Sequence, residues 1–180
     1  MRALSLTPWW AWLVVEGIKP LENRKWVPRE YPGGPPFRGD FLIHASRGEP
    51  KHRREVADFL EERGLTLVGG LPEEVEQGGF VGIANLVDSV LPRCYREAYA
   101  TTGADPRWHM REQHGHVLRD VELLPFVPWK GSLGFWKVPS EACEEVCGEI
   151  IRDARERELG DGKLSSSFRL IARIEKGFGR

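Results

Sequence analysis

Of the chain's 180 residues, 41% are apolar and 29% charged, the make-up of a water-soluble globular protein with one core of ordinary size. No apolar run approaches the roughly 18 residues that a membrane span needs. The opening MRALSLTP has no signal-peptide core, so a cytoplasmic protein is expected, and its three cysteines, which cannot all pair, are read as reduced thiols. The net charge of −1 hides an uneven distribution: residues 1–54 hold ten lysines and arginines against five carboxylates, and residues 55–180 hold sixteen against twenty-two. Residues 163–180 are again basic, with five cations against Glu175. Two basic ends around an acidic middle suit a groove for a polyanion, or they arise by chance.

In chain order, Leu4 and Leu6 suggest a short opening strand. Thr7 followed by Pro8 predicts a helix start, with a hydroxyl at the N-cap and proline at the first helical position. That helix runs to about Glu16 and stops at Gly17. NRKWV, residues 23–27, alternates as a strand does, and YPGGPPFRGD, 31–40, is a loop by its proline and glycine content. DFLIHAS, 40–46, predicts a strand with Phe41 and Ile43 on one face. Residues 50–63 have helical spacing, with Val56, Phe59 and Leu60 as an apolar stripe. LVGGLPEEVEQGG is a loop, and FVGIANLVDSVL, 80–91, is the clearest strand by its β-branched content.

Residues 92–118 suggest two short helices around a turn at Gly103–Pro106. VELLPFV and GSLGFWKV predict further strands. Ser140 opens a helix to about residue 158, with Val146, Ile150 and Ile151 inward, and SSFRLIARI predicts a last strand. About six strands and three or four helices, out of strict alternation, indicate an α+β fold with a curved sheet or small barrel.

Read together, SLTPWWAWLVVEGIKPLENRKW, FRGDFLIHAS, GFVGIANLVD and PWKGSLGFWKV resemble the ASCH domain, the activating-signal-cointegrator homology domain of the PUA-like superfamily. The resemblance spans roughly residues 3–138 and centres on the pattern G-x-K-x-x-E-x-R, met by Gly17, Lys19, Glu22 and Arg24. It implies a PUA-like small β-barrel of about six strands with flanking helices, and a cleft suited to RNA or a nucleoside. Where relatives commonly carry Gln-Pro-Trp-Ala, this chain reads Pro8-Trp9-Trp10-Ala11. The resulting division is an ASCH-like domain over 1–140, with a helix and an extended segment over 141–180 packed on it.

The same residues have a chemistry of their own. A lysine at a helix end binds phosphate as a point charge, or acts as a base if burial lowers its pKa. Glu22 can hold Lys19 or accept from a base edge, and Arg24 can fork onto a phosphate or a carboxylate. Trp10, Trp12 and Trp26 offer flat faces, and stacking beside cations is how single-stranded nucleic acid is commonly held. The competing reading makes the tryptophans core and Lys19, Glu22 and Arg24 a surface ion pair. RGEPKHRR, 47–54, adds Arg47, Lys51, Arg53 and Arg54, either a phosphate-binding edge or a solvated helix face. The leading expectation is therefore a module that binds RNA or another single-stranded nucleic acid, or a modified nucleoside, beside the first helix.

The alternative is a small amidohydrolase acting on acylated cytidine or a related nucleoside. Some bacterial ASCH proteins resemble such enzymes, with a lysine and, three residues later, a threonine. Here the lysine is Lys19 and the threonine position is Glu22, which has no hydroxyl. Lys19 and Glu22 would then be catalytic, with Asp88, Asp120 or Glu122 as a second acid. Cys143 and Cys147, at i and i+4, with His114 and His116 upstream, lack the tight paired spacing of structural zinc and are read as buried thiols. His44, in mid-strand, is read as structural. GDGKLS, 160–165, mimics the tail of a phosphate loop but has Arg157 where its first glycine belongs. Neither a metal nor a cofactor is expected.

Overall fold

The computed structural model describes residues 1–94, 99–100, 102–161 and 165–178. Among them are six strands: β1 (Arg2–Leu6), β2 (Leu21–Arg24), β3 (Gly39–Ala45), β4 (Gly79–Val90), β5 (His114–Pro128) and β6 (Phe135–Lys137). Four α-helices accompany them: α1 (Pro8–Val15), α2 (Pro50–Glu62), α3 (Ser140–Asp161) and α4 (Ser165–Gly177). The strands form one sheet in the order β2-β5-β4-β3-β1-β6. Only β1 and β3 run parallel. This is the α+β arrangement expected, a six-stranded curled sheet flanked by helices.

The curl has a local cause. The β4–β5 ladder shifts register between Phe80 and Gly82, between Ile83 and Asn85, and between Leu86 and Asp88. The β3–β4 ladder shifts once more, between Ile43 and His44. Each irregularity bends and twists its strand, so the long strands wrap rather than lie flat. The wrap brings the β2 edge round to β1, where Arg24 Nη2 donates to the Ser5 carbonyl at 2.7 Å.

Apolar side chains fill both faces of the sheet. Leu42, Phe80, Ile83 and Val127 pack outward against Val146 and Ile150 of α3 and against Leu170 and Ile174 of α4. On the other face Leu4, Leu6, Phe41, Ile43, Ala84 and Leu118 pack against Ala11, Val14 and Val15 of α1. Phe41 and Ile43 thus share a face, as their spacing predicts. The far side of α1 buries Trp9 and Leu13 with Val56, Phe59 and Leu60, the predicted stripe of α2. A helix covered on both sides has no use for a polar stripe, which explains the unbroken apolar run from Trp9 to Val15.

Five expectations are corrected. Val146 and Ile150 of α3 are buried as expected, but Ile151, the next residue round the helix, is exposed. Thr7 does occupy the N-cap position of α1, but its hydroxyl makes no capping hydrogen bond. β2 starts two residues earlier than NRKWV and ends at Arg24. Within 92–118, Tyr99, Ala100 and Thr102 are helical before the turn at Gly103 and a short 3-10 segment, Pro106–Trp108, follows it, but residues 114–118 already belong to β5. Residues 95–98 and 101 lie outside the described set. The expected last strand is helix α4. Phe168, Leu170 and Ile174 read as alternation, but Phe168 is exposed, whereas Leu170 and Ile174, one helical turn apart, are buried.

Candidate functional site

Gly17, with a φ of +70°, ends α1 in a conformation that glycine adopts without strain. The chain then doubles back: the backbone N–H groups of Ile18 and Lys19 both donate to the Leu13 carbonyl, at 3.0 and 2.9 Å. This turn carries the Lys19 side chain inward, where its ammonium lies 5.2 Å from the centre of the Trp10 ring. β2 follows at once. Because side chains alternate along a strand, Glu22 and Arg24 share one face. In the β2–β5 ladder they stand opposite His116 and His114.

The result is a compact charged cluster. Lys19 Nζ lies 2.5 Å from Glu22 Oε2, and Arg24 Nε lies 3.1 Å from Glu22 Oε1. Lys19 is only 1% exposed and Glu22 6%. Burial lowers the Lys19 pKa from its ordinary 10.5, and the Glu22 carboxylate offsets only part of that. The Arg24 guanidinium sits 5.8 Å from the Trp26 ring centre. The surface ion pair weighed as the bland reading is therefore not what forms: Lys19 and Glu22 are buried, and Arg24 alone of the three is partly exposed.

His116 completes the cluster, and sequence reasoning gave it no role here. It is fully buried, with Nε2 3.0 Å from the Trp26 carbonyl and Nδ1 3.0 Å from Ser89 Oγ. A carbonyl can only accept, so Nε2 carries the proton and Nδ1 accepts from the Ser89 hydroxyl. Burial pulls its pKa down to about 4. His114 stacks beside it, with ring centres 6.4 Å apart.

Next to this cluster a cleft of ≈ 670 Å³ opens on Ser5, the residue whose carbonyl holds Arg24. Arg47, Lys130 and Trp129 line it, together with His44 and Ser46. His44 Nε2 lies 2.9 Å from the Trp129 carbonyl. Its ring meets Phe80 and Trp136 edge-on, which fits the structural role expected of it. The 129–134 segment lies directly on that ring: a Cβ added at Gly131 would come within 2.3 Å of His44 Cε1.

The structure thus brings Trp10, Lys19, Glu22, Arg24 and Trp26 together, and sets Arg47 at the neighbouring cleft. The other cations of 47–54 are engaged differently. Lys51 pairs with Glu49 at 2.8 Å. Arg53 donates to the carbonyls of Leu71 and Pro72 and pairs with Glu73, pinning the 67–79 segment to α2. Arg54 is exposed on α2 and has no ion pair among the described residues. Of the carboxylates weighed as a second acid, Asp88 pairs with Arg38 and Glu122 with Arg173, neither with Lys19. Cys143 packs in the core and Cys147 against it. No cluster of three or more His, Cys, Asp and Glu among the described residues could hold a metal. No described helix is long and apolar enough to cross a membrane.

The molecule is thus a curled six-stranded α+β sheet flanked by helices, with the buried Lys19–Glu22 pair beside Arg24. A family model of the ASCH domain matches residues 4–125, and the chain belongs to that family. Among solved structures it is similar to ASCH from Zymomonas mobilis, at 14% identity and a TM-score of 0.48, with 82% of this chain and 93% of that one covered. A tyrosine-to-phenylalanine variant of that protein matches at the same identity and TM-score over 96% of its length. No curated protein matches.

Proposed function

We propose that this protein binds single-stranded nucleic acid, with RNA or a modified nucleoside held in the cleft beside Arg24. One observation carries the reading: a concave surface bearing Arg47, Lys130 and Trp129 adjoins Arg24, which is itself backed by the Trp26 ring. Cations at a groove wall suit backbone phosphates, and a half-buried ring at the wall, as Trp129 is, suits contact with an unstacked base. Lys19 and Glu22 act from behind, fixing Arg24 through the shared carboxylate. The family resemblance points the same way. Arg24→Ala and Arg47→Ala should each weaken binding of labelled single-stranded RNA by about five- to a hundred-fold, as a lost charge-assisted contact of roughly 1–3 kcal/mol would. Unchanged affinity in both variants would refute the reading.

The hydrolase alternative rests on one observation, the lowered pKa of Lys19 beside a carboxylate, which is how a lysine base is prepared. Against it, Lys19 and Glu22 are sealed from water, and neither lines the cleft that opens on Ser5. Lys19→Arg separates the two. Arginine keeps the charge but cannot serve as a base near neutral pH. A binding module keeps most of its RNA affinity in that variant. A hydrolase turns over acylated cytidine as wild type and loses that turnover as Lys19→Arg.

A further inference from the structure

The cleft beside Arg24 lies at the C-terminal end of β1. A second concavity, ≈ 610 Å³, opens at the other end of that strand. Its walls come from both basic stretches of the chain. Arg2 and Arg38 belong to residues 1–54, Arg173 and Lys176 to the basic end, and Lys137 stands between them at the end of β6. The two basic ends meet because β1 pairs with β6 and α4 docks on the same edge of the core.

The local charge does not cancel. Asp40 and Glu122 are both taken by Arg173, at 2.8 and 2.5 Å, and Asp88 is taken by Arg38 at 2.8 Å. Arg2 donates to the backbone carbonyl of Glu30 rather than to a carboxylate, and lies 5.6 Å from the centre of the Phe135 ring. Among the described residues Arg2, Lys137 and Lys176 have no ion pair. By lining alone, five cations (Arg2, Arg38, Lys137, Arg173 and Lys176) face two carboxylates, Glu30 and Asp40. A concave wall concentrates the field of such a surplus.

We propose that this groove is a phosphate-binding site that takes the phosphate groups of a nucleic-acid strand or of a free polyphosphate. The first source rests on the proposed function, and the second does not. Lys137 and Lys176 are exposed, so reversing their charge leaves the core intact. The test compares wild type, Lys137→Glu/Lys176→Glu and Arg24→Ala against two probes. One is inorganic tripolyphosphate, followed by calorimetry. The other is a single-stranded RNA of about 20 nucleotides, long enough to exceed one small-domain site.

If free polyphosphate is the ligand, wild type binds tripolyphosphate and the double variant loses about ten-fold or more in affinity, while Arg24→Ala does not. If a nucleic-acid strand is the ligand, the double variant loses about ten-fold on the RNA. Its salt dependence then also falls by roughly 0.7 for each lost phosphate contact. Should the double variant alter the thermal midpoint, Lys137→Gln/Lys176→Gln is read in the same two assays. RNA binding that falls in Arg24→Ala alone, with no tripolyphosphate bound by wild type, removes the groove and keeps the cleft. The reverse pattern keeps the groove and removes the cleft. No change of either probe in the double variant overturns the proposal.

Discussion

Glu22 answers two cations with one carboxylate: Oε2 takes Lys19 Nζ at 2.5 Å and Oε1 faces Arg24 Nε at 3.1 Å. Removing the carboxylate strands Lys19, which is sealed from water, whereas removing Lys19 leaves Glu22 still paired with Arg24. Breaking a buried pair by deleting one partner costs about 3–5 kcal/mol. Glu22→Ala should reach that range in urea unfolding. Lys19→Met, which keeps the apolar stem against Trp10, should cost roughly 2 kcal/mol or less. Equal losses in the two variants would show that Arg24 does not compensate Glu22.

The cations of residues 47–54 should separate by role. Arg47→Ala and Lys130→Ala, at the cleft, should weaken RNA binding and lower its salt dependence. Lys51→Ala should do neither, because Lys51 is spent on Glu49. Arg53→Ala should leave affinity intact but cost about 1–2 kcal/mol, since two backbone carbonyls of the 67–79 segment lose their donor. Amide exchange in that segment should quicken, and exchange left as slow as in wild type would show that Arg53 does not pin it.

His116 should make the fold sensitive to mild acid. Its folded pKa is about 4 against the ordinary 6.5, because burial disfavours the charged ring. The folded state therefore holds fewer protons than the unfolded chain between these values. The stability contributed by neutral His116 is complete above pH 6.5 and falls as pH drops towards 4, by on the order of 3 kcal/mol in all. Charging the ring also forces the Ser89 hydroxyl to turn away from Nδ1. Unfolding free energies at pH 7 and pH 4.5 should differ less in His116→Gln than in wild type. An imidazole that titrates near 6.5 by NMR would contradict this.

A second acid transition should report the docking of α4. Burial raises the Asp40 pKa, but hydrogen bonds from Arg173 and Asn85 outweigh it, and the carboxyl ends below its ordinary 3.8. Its contribution is present above pH 3.8 and is lost as pH falls below that value through the folded pKa. Arg173→Ala should cost about 1–3 kcal/mol, reduced from the fully buried case because both partners retain some contact with water. It should also speed exchange in α4 before the rest of the fold. Uniform exchange across the chain would place the loss elsewhere.

What the sequence determined by itself was local. The first two helices are legible because proline and glycine mark their ends and their apolar spacing repeats within a few residues. β3 and β4 are legible from alternation and β-branched content. Lys19, Glu22, Arg24 and Trp26 fall within eight positions, so one turn and one short strand suffice to gather them. Tertiary structure decided what distance in sequence conceals. His116 joins Glu22 only through the register of β2 on β5, and Ser5 joins Arg24 only because bulges curl the sheet until its edges meet. Residues 166–174 satisfy both a strand and a helix pattern, and the choice fell to the surface that Leu170 and Ile174 could bury. The uneven charge was plain in the sequence, but its purpose depends on which ends touch. That is set by strand pairing and helix docking, whose energies come from contacts between residues more than a hundred positions apart.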